Sequence, residues 1–271
     1  MKSEKINFTK EKETLLSTLY CRAMQSKVKN PILRDPWAEE AVSRIDYDFT
    51  KFKSTIRVFG ISIRARKFDT IVNQFLFEHP DAVVLYLGCG MDSRVFRVDP
   101  PAGVQWFDVD YPDVIELRKR LYPDRTGYRM IGTSLAELSW LDEIPADRPA
   151  LIIAEGVTMY LTEEIMRSLL NRLTSHFSHG EIAFDTHSRK LIQWMSKKAK
   201  TVHGTGAAFH WGIDHPDEVT KLEPRLEFAK EFKTSDIPGY SAIPFHLRVL
   251  SRMLVMIPAL RRALVPLVYR F

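Results

Sequence analysis

A short apolar run that ends in a glycine turn constrains this chain more than any other feature. The run Val83–Leu87 is brief and rich in β-branched residues, which is typical of a buried strand. Gly88-Cys89-Gly90 follows at once, and its two glycines allow a tight turn in which a ligand lies against bare backbone. A second apolar stretch then ends in Asp108-Val109-Asp110, and Asp110 lies 20 residues after Gly90. That spacing suits a carboxylate on the neighbouring strand that binds ribose hydroxyls, so the pattern predicts a nucleoside-binding α/β domain.

The residues after the glycine turn indicate which nucleoside to expect. A dinucleotide fold normally has a third glycine, in the pattern G-x-G-x-x-G, for helix packing beneath a pyrophosphate. This chain has Ser93 at that position, and Asp92 would place a negative charge where a pyrophosphate needs the N-terminus of a helix. We therefore expect a ligand without a phosphate, and S-adenosylmethionine fits. A NAD(P)-dependent dehydrogenase is the disfavoured alternative.

Strand-like and helix-like segments alternate after residue 80, which predicts a parallel sheet with helices on both faces. Further strands are expected at Tyr128–Ile131, Leu151–Ala154, Glu181–Asp185 and Leu267–Arg270, and helices from Pro112 and after Thr162. Before residue 80, helices are expected over residues 9–28 with Thr9 as the N-cap and from Arg34 onwards. A basic, aromatic stretch, Lys51–Phe59, leads to Gly60, and a third helix is expected beyond it, with apolar residues from Phe68 to Leu76 at helical spacing and an end at His79-Pro80. The expected division is a helical N-terminal cap (1–80), a Rossmann-like core (81–190) and a segment that covers the substrate and completes the sheet (191–271).

Composition argues against several other classes of protein. Two cysteines are too few for a disulfide framework or a zinc site and favour a cytoplasmic location, and no metal is expected. The charged N-terminus lacks the apolar region of a secretory signal. Residues 245–271 hold five arginines and no acid, whereas basic and acidic residues are equal in number elsewhere, so no nucleic-acid surface is expected. The arginine-rich segment suggests a lid over the substrate, an amphipathic segment that contacts a membrane, or an ordinary edge of the domain.

Three motifs occur in the order found in one enzyme family: LGCGMDSRVFRV, FDVDYPDVIELRKRL and AEGVTMYL. The chain resembles the leucine carboxyl methyltransferase family from about Thr18 to Pro216, and within it the bacterial branch of tetracenomycin-type polyketide O-methyltransferases. The resemblance implies a class I S-adenosylmethionine-dependent methyltransferase. Such an enzyme has a Rossmann-like, seven-stranded, mostly parallel sheet, a helical N-terminal cap and a C-terminal lid segment.

The resemblance also implies roles for individual residues. The matching cofactor-binding positions are Arg64, Gly88, Gly90, Asp110, Ser134, Leu135 and Glu155. Arg64 would bind the cofactor's carboxylate, Asp110 the ribose and Glu155 the methionine moiety, with Arg66, Asp108 and Arg22 as the alternative or additional candidates. Ser134 stands where the family usually has an aspartate, so a weaker hydrogen bond to the adenine amino group is expected.

The acceptor side of the site is harder to predict. By resemblance, Tyr160 faces the acceptor and is the candidate catalytic residue. Methyl transfer from a sulfonium needs alignment and a dry site, and a carboxylate acceptor is already ionised at neutral pH. His187 is the candidate base for a hydroxyl acceptor, and His210 and Trp211 either line the acceptor pocket or pack beneath the lid. We predict an O-methyltransferase for a small-molecule carboxylate, with a phenolic hydroxyl, a protein C-terminal carboxylate and an inactive binding protein as alternatives.

Overall fold

A central sheet organises the protein, whose computed structural model describes residues 4–5, 11–198 and 208–271. The predicted N-cap Thr9 lies outside these residues. The described strands are β1 (Glu4–Lys5), β2 (Ile45–Asp46), β3 (Val83–Leu87), β4 (Gln105–Asp110), β5 (Tyr128–Gly132), β6 (Ala150–Ala154), β7 (Gly180–Phe184), β8 (Glu227–Glu231) and β9 (Leu267–Arg270).

Seven of the described strands form one sheet in the order β5-β4-β3-β6-β7-β9-β8, and β1 pairs with β2 separately. The pairs among β5, β4, β3, β6 and β7 are parallel, whereas β9 runs antiparallel to both β7 and β8. The chain order reverses between β3 and β6, which creates the switch point where α/β sheets bind ligands at the carboxyl ends of their strands. The predicted seven-stranded, mostly parallel sheet is confirmed.

Helices surround this sheet. They are α1 (Glu11–Ser26), α2 (Pro36–Arg44), α3 (Thr55–Glu78), α4 (Arg94–Val98), α5 (Pro112–Leu121), α6 (Glu163–His176), α7 (Arg189–Lys198), α8 (Asp217–Leu222), α9 (Phe245–Met256) and α10 (Pro258–Leu264). The predicted start of α3 is wrong, since the helix begins at Thr55 and runs through Gly60. Its N-cap is Ser54, whose side chain accepts a hydrogen bond from the backbone of Arg57.

Two apolar layers cover the two faces of the sheet. On one face, Phe68, Val72 and Phe75 of α3 pack against Val84 and other residues of the central strands. On the other face, the leucines of α6 and the aromatic ring of Phe184 share a second cluster. The helix α3 is therefore part of the layered core as well as the connection to the N-terminal helices.

The helices α1 and α2 form a third cluster at the edge of the sheet. Leu16 and Leu19 of α1 are buried together with Val114 and Leu117 of α5. This packing lays α1 across the carboxyl end of β4, next to the switch point. The position of α1 matters for the site because its first turn reaches over the ends of the central strands.

The C-terminal segment contains two helices before the last strand. Lys67 of α3 donates a hydrogen bond of 2.5 Å to the carbonyl oxygen of Leu264 at the end of α10. Arg262 of α10 donates to Glu231 of β8 at 2.6 Å and to the carbonyl oxygen of Asp214 at 3.0 Å. These contacts join α10 to both the sheet and α3. No helix in the described part of the chain is both long and apolar enough to cross a bilayer.

Candidate active site

A cavity of about 160 Å³ opens at the carboxyl ends of β3, β4, β5 and β6. The residues that line it come from five parts of the chain: Lys12, Thr14 and Leu15; Gly88; Asp110 and Tyr111; Thr133, Ser134, Leu135 and Ala136; and Gly156, Val157, Tyr160, Leu161 and Ile165. Of the predicted site residues, Gly88, Asp110, Ser134, Leu135 and Tyr160 meet in this cavity. Arg64, Gly90 and Glu155 lie behind its wall.

The glycine turn has a shape that requires glycine at both positions. Gly88 and Gly90 have φ values of 63° and 52°, in the left-handed region that side chains disfavour. A Cβ atom on Gly88 would lie 2.5 Å from a methyl group of Val157, and one on Gly90 would lie 2.8 Å from a methyl group of Leu15. The bare backbone at Gly88 thus forms part of the cavity wall, and Gly90 packs against α1.

The Asp110 carboxylate stands at the cavity with both oxygens held by backbone. Its Oδ2 accepts a hydrogen bond of 2.7 Å from Gly90 N–H, and its Oδ1 accepts one of 2.7 Å from Tyr111 N–H. A carboxylate has about four acceptor positions, so each oxygen can still accept a hydroxyl. Burial raises the pKa of Asp110, although the two backbone bonds oppose this. The arrangement suits a ligand that brings a pair of hydroxyl donors.

Asp108, the alternative candidate for binding the ribose, has its hydrogen-bond partners outside the cavity. Its carboxylate is fully buried and accepts hydrogen bonds from Arg118, from Trp106 at 2.8 Å and from Tyr128 at 2.6 Å. These partners hold β4 against α5 and β5. Between the two candidates, only Asp110 lines the cavity.

The part of the cavity that follows β5 presents a hydroxyl group. Ser134 and Leu135 follow β5 and line the cavity side by side. The Ser134 Oγ accepts a hydrogen bond of 3.2 Å from the backbone N–H of Ala136. The serine is therefore held in a local turn, and its hydroxyl has one donor and a remaining acceptor position to offer.

Arg64 and Glu155 form a buried ion pair behind the cavity. Arg64 Nε donates a hydrogen bond of 2.9 Å to Glu155 Oε1. Arg64 Nη1 donates one of 3.1 Å to Asp185 Oδ2. The Asp185 carboxylate in turn accepts from Gly156 N–H at 2.6 Å. A Cβ atom on Gly156 would lie 3.1 Å from the Arg64 guanidinium, so the guanidinium lies directly behind this residue of the cavity lining. Burial lowers the pKa of Arg64, but Asp185 and Glu155 outweigh burial and raise it.

A network of buried charges supports this pair from beneath the glycine turn. Arg94 donates to Asp69 at 2.8 Å and to Glu155 at 2.5 Å, and its guanidinium lies 4.6 Å from the centre of the Tyr86 ring. Glu155 is thus held between two arginines, which fixes its orientation.

Asp92 also belongs to this network and faces away from the cavity. Arg97 donates to its Oδ1 at 2.5 Å, and Arg94 and Arg22 lie within 3.2 Å and 3.6 Å of the carboxylate. Burial acts to raise the pKa of Asp92, but the arginines hold it well below its usual range. The expected repulsion between Asp92 and a pyrophosphate is therefore not a feature of this site, because the charge is neutralised inside the protein. Arg22, which also donates to the carbonyl oxygen of Met91 at 2.8 Å, is part of this support and does not line the cavity.

Tyr160 lies at the mouth of the cavity on a single turn of 3₁₀-helix, Thr158–Tyr160. Its ring stacks on Phe209 at 5.3 Å between centroids, and the pair joins an apolar cluster with Ile192 and Met195 of α7. His210 lies on a neighbouring groove beside Phe209. Trp211 is buried in the main core, where its ring is 6.0 Å from that of Phe184. Neither His187 nor His210 is among the described residues that line the cavity.

Sequence reasoning missed the contribution of α1 to the cavity. Lys12, Thr14 and Leu15 line one side, and Lys12 Nζ lies 2.7 Å from Asp113 Oδ2 and 4.7 Å from the centre of the Tyr111 ring. These partners are about a hundred residues apart in the chain. No local pattern could have indicated them, because the contact exists only once α1 has packed on α5.

Comparison with known proteins agrees with this fold. The family model described as leucine carboxyl methyltransferase matches residues 16–174. The tetracenomycin polyketide synthesis O-methyltransferase TcmP of Streptomyces glaucescens is 45% identical over 239 residues, which cover 87% of this chain and 87% of that protein. A protein of Gibberella zeae named as an S-adenosyl-L-methionine-dependent methyltransferase is 36% identical over 247 residues, or 83% of this chain and 82% of the relative.

A solved structure supports the fold independently. A protein of Thermobifida fusca assigned as a methyltransferase superposes with a TM-score of 0.56 at 14% identity, covering 94% of this chain and 92% of the other. That likeness concerns the fold alone. The assignment to a family rests on two findings. The family model matches more than half of the chain, and one relative is 45% identical. The chain belongs to the leucine carboxyl methyltransferase family.

Proposed function

We propose that this protein is an S-adenosylmethionine-dependent O-methyltransferase whose acceptor is a small-molecule carboxylate of the polyketide or a related secondary-metabolite class. The enzyme class and the cofactor follow from the family and from relatives named for S-adenosylmethionine-dependent methyl transfer. The identity of one relative as a tetracenomycin polyketide O-methyltransferase supports the acceptor class. The relatives are named as enzymes, so the alternative of an inactive binding protein has no support.

The residues around the cavity fit this cofactor chemically. Asp110 retains acceptor capacity on both oxygens for the two ribose hydroxyls, and this is the observation that carries the proposal. Gly88 offers bare backbone beside it, and Ser134 and Leu135 offer a hydroxyl and an apolar contact for adenine. The assignment of Arg64 and Glu155 to the methionine moiety rests on the family resemblance, since in this structure the two side chains pair with each other outside the lining of the cavity.

When bound, S-adenosylmethionine supplies an electrophilic methyl group on a sulfonium. The task of the protein is then to align an oxygen nucleophile and exclude water. The helix α1 encloses one side of the cavity, and Tyr160 with its stacked partner Phe209 closes the mouth. We assign Tyr160 the role of orienting the acceptor.

The choice of a carboxylate rests on the titratable groups at the cavity. The described lining residues include Lys12, Asp110, Tyr111 and Tyr160 but no histidine. A phenol acceptor needs a base near neutral pH, whereas a carboxylate is already ionised. The described lining residues therefore favour a carboxylate acceptor.

Calorimetric titration with a matched pair of variants tests the cofactor assignment. Asp110→Asn removes the charged ribose acceptor and should weaken binding of S-adenosylmethionine and S-adenosylhomocysteine by about tenfold to a hundredfold. Asp124→Asn, an exposed aspartate outside the cavity, should bind as the wild type does. NADH should not bind to either variant or to the wild type. Equal affinity for both variants would remove Asp110 from the site.

A screen of acceptors tests the substrate class. Aromatic carboxylic acids should be methylated at a rate that is independent of pH above about 5, since the carboxylate titrates near 4. Matched phenols should react more slowly, with a rate that rises with pH. Methylation of phenols alone would replace the carboxylate proposal with its hydroxyl alternative, and methylation only of peptides that end in a free carboxylate would point to a protein substrate.

A further inference from the structure

Three stretches without acidic residues converge on a groove that lies apart from the active site. Residues 14–34, 49–68 and 237–271 contain no aspartate or glutamate. A groove of about 410 Å³ lies where the end of α1, the start of α3 and the start of α9 meet, and every residue that lines it belongs to one of these stretches. A surface built in this way favours an anionic partner.

The groove itself is largely apolar. Met24, Val28, Ile32, Val58 and Leu247 contribute to its lining, and Lys53 lies at its rim. Beside the groove, Ile56 projects into solvent from the first turn of α3 with 69% of its surface exposed. The lining of the groove thus combines apolar side chains with a cation and contains no acid.

The helix α9 extends this surface with an exposed apolar stripe. Phe245, Val249, Met253 and Met256 follow one another at intervals of three or four residues and all face solvent, with Phe245 73% and Met256 81% exposed. The opposite side of the helix is anchored in the protein, because Ser251 is hydrogen-bonded to Thr234 at 2.9 Å. The stripe is therefore on the outward side of a fixed helix.

Cations border the stripe and the groove. The guanidinium groups of Arg248 and Arg252 lie 5.6 Å and 5.9 Å from the centre of the Tyr240 ring at the base of α9. Lys27, Lys53 and Arg57 are exposed at the ends of α1 and α3. Among the described residues, no carboxylate forms a salt bridge with any of these five side chains. In contrast, Arg261 and Arg262 of α10 pair with Glu231 at 2.5 and 2.6 Å.

We propose that this surface, the groove together with the α9 stripe and its bordering cations, docks on the surface of an anionic lipid bilayer. Apolar side chains that protrude from one side of a helix flanked by arginines match the pattern of a helix that lies in a membrane interface. The cations would meet anionic headgroups while the phenylalanine and methionines enter the acyl region. A second copy of the chain is a poorer occupant, because a twofold interface would place these unpaired cations against one another.

Vesicle co-sedimentation of the full chain tests the proposal. Binding should be strong to vesicles of equimolar phosphatidylcholine and phosphatidylserine, weak to vesicles of phosphatidylcholine alone, and reduced by added salt. The double variant Arg248→Gln/Arg252→Gln should lower the partition coefficient about thirtyfold. Its matched control, Lys119→Gln/Arg129→Gln, removes the same charge from exposed positions on α5 and β5 and should retain most of the binding.

A second pair of variants tests the apolar stripe. Phe245→Ser should weaken vesicle binding about tenfold, whereas Phe77→Ser, at a residue that is 91% exposed at the other end of α3, should not. Thermal unfolding and cofactor binding should be unchanged in all four variants, so a loss of folding is recognisable. Equal binding to neutral and anionic vesicles, or equal effects of Phe245→Ser and Phe77→Ser, would overturn the proposal.

Two other outcomes would assign the surface to a different occupant and also overturn it. A concentration-dependent dimer in sedimentation velocity that Phe245→Ser abolishes would indicate a second copy. Absence of both vesicle binding and self-association would leave an acidic protein partner. None of these measurements depends on methyl transfer, so they test the membrane proposal independently of the proposed function.

Discussion

At the scale of single residues, the family resemblance matches Ser134 to a position where an aspartate is usual. Ser134 presents a neutral hydroxyl next to Leu135, and this hydroxyl already accepts a hydrogen bond from the backbone of Ala136. Hydrogen bonds to an ionised group are about twice as strong as those between neutral groups. The cofactor affinity of this protein should therefore be lower than a carboxylate at the same place would allow.

Ser134→Asp tests this directly. An aspartate can accept the same local bond from Ala136 and adds a charged acceptor for the adenine amino group. We expect S-adenosylmethionine to bind about tenfold more tightly, as measured by calorimetry, and Ser134→Ala to bind more weakly than the wild type. Unchanged or weaker binding by the aspartate variant would show that the adenine amino group lies elsewhere.

At the scale of elements, Lys67 couples α3 to α10 at an energetic cost. Its ammonium group is buried and bonded to the Leu264 carbonyl oxygen. Burial lowers its pKa to about 8, while the charge of Asp236 acts in the opposite direction. Since the pKa in an unfolded chain is about 10.4, the unfolded state holds more protons between these two values. The free energy of unfolding must therefore rise with pH between about 8 and about 10.4. Below about pH 8 the buried ammonium group destabilises the folded state by its full amount.

Lys67→Met should remove this cost. The variant keeps the length of the side chain, loses one hydrogen bond, and should raise the free energy of unfolding at neutral pH by about 2 kcal/mol. The difference from the wild type should shrink as pH rises from about 8 to about 10. Urea unfolding at several pH values measures this difference in the free energy of unfolding. The control is Lys119→Met at an exposed position, which should change the free energy of unfolding by less than about 0.5 kcal/mol. A destabilised Lys67→Met variant would mean that the bond to α10 outweighs the cost of burial.

Elements with a strong local signal were predictable from sequence, and those determined by distant contacts were not. Val83–Leu87 and Leu267–Arg270 were predicted to the residue, because the first is an apolar run that ends at a glycine turn and the second begins directly after a proline. The start of α3 was missed because its first turns are basic and contain Gly60, although Ser54 caps the helix locally. The strand β8 has mostly exposed side chains and no alternating pattern, so nothing local indicates that it pairs with β9.

The same distinction applies to the site. The glycine turn and Asp110 follow from a spacing pattern that the fold itself imposes, and both lie where that pattern places them. The wall made by Lys12, Thr14 and Leu15 depends on how α1 packs on α5, which no window of sequence contains. The roles assigned to Tyr160 and Arg64 remain predictions that rest on the family resemblance.

At the scale of the whole molecule, contacts cross the expected division into cap, core and lid. The helix α3 covers one face of the sheet, Arg64 of α3 pairs with Glu155 after β6, and Lys67 reaches α10. Elements that share one apolar core and several buried ion pairs unfold together. The three expected parts should therefore behave as one cooperative unit.

A urea titration checks this expectation. Far-UV circular dichroism and tryptophan fluorescence should report one coincident transition, and saturating S-adenosylmethionine should move its midpoint upwards. Trp37 lies in α2, whereas Trp106 and Trp140 are buried in the sheet layers, so the fluorescence follows both regions. An early fluorescence change that disappears in Trp37→Phe would show that the N-terminal helices unfold separately.

The placement of α1 has a consequence for the pace of the catalytic cycle. Thr14 and Leu15 enclose the cavity, while Leu16 and Leu19 on the same helix are buried in the protein interior. Fraying of the first turns of this helix would open one side of the cavity. Exchange of spent cofactor through that side would depend on a local unfolding equilibrium, to which the Lys12–Asp113 salt bridge contributes. Changes that make the N-terminal helix more stable should therefore slow turnover while leaving the methyl-transfer step itself untouched.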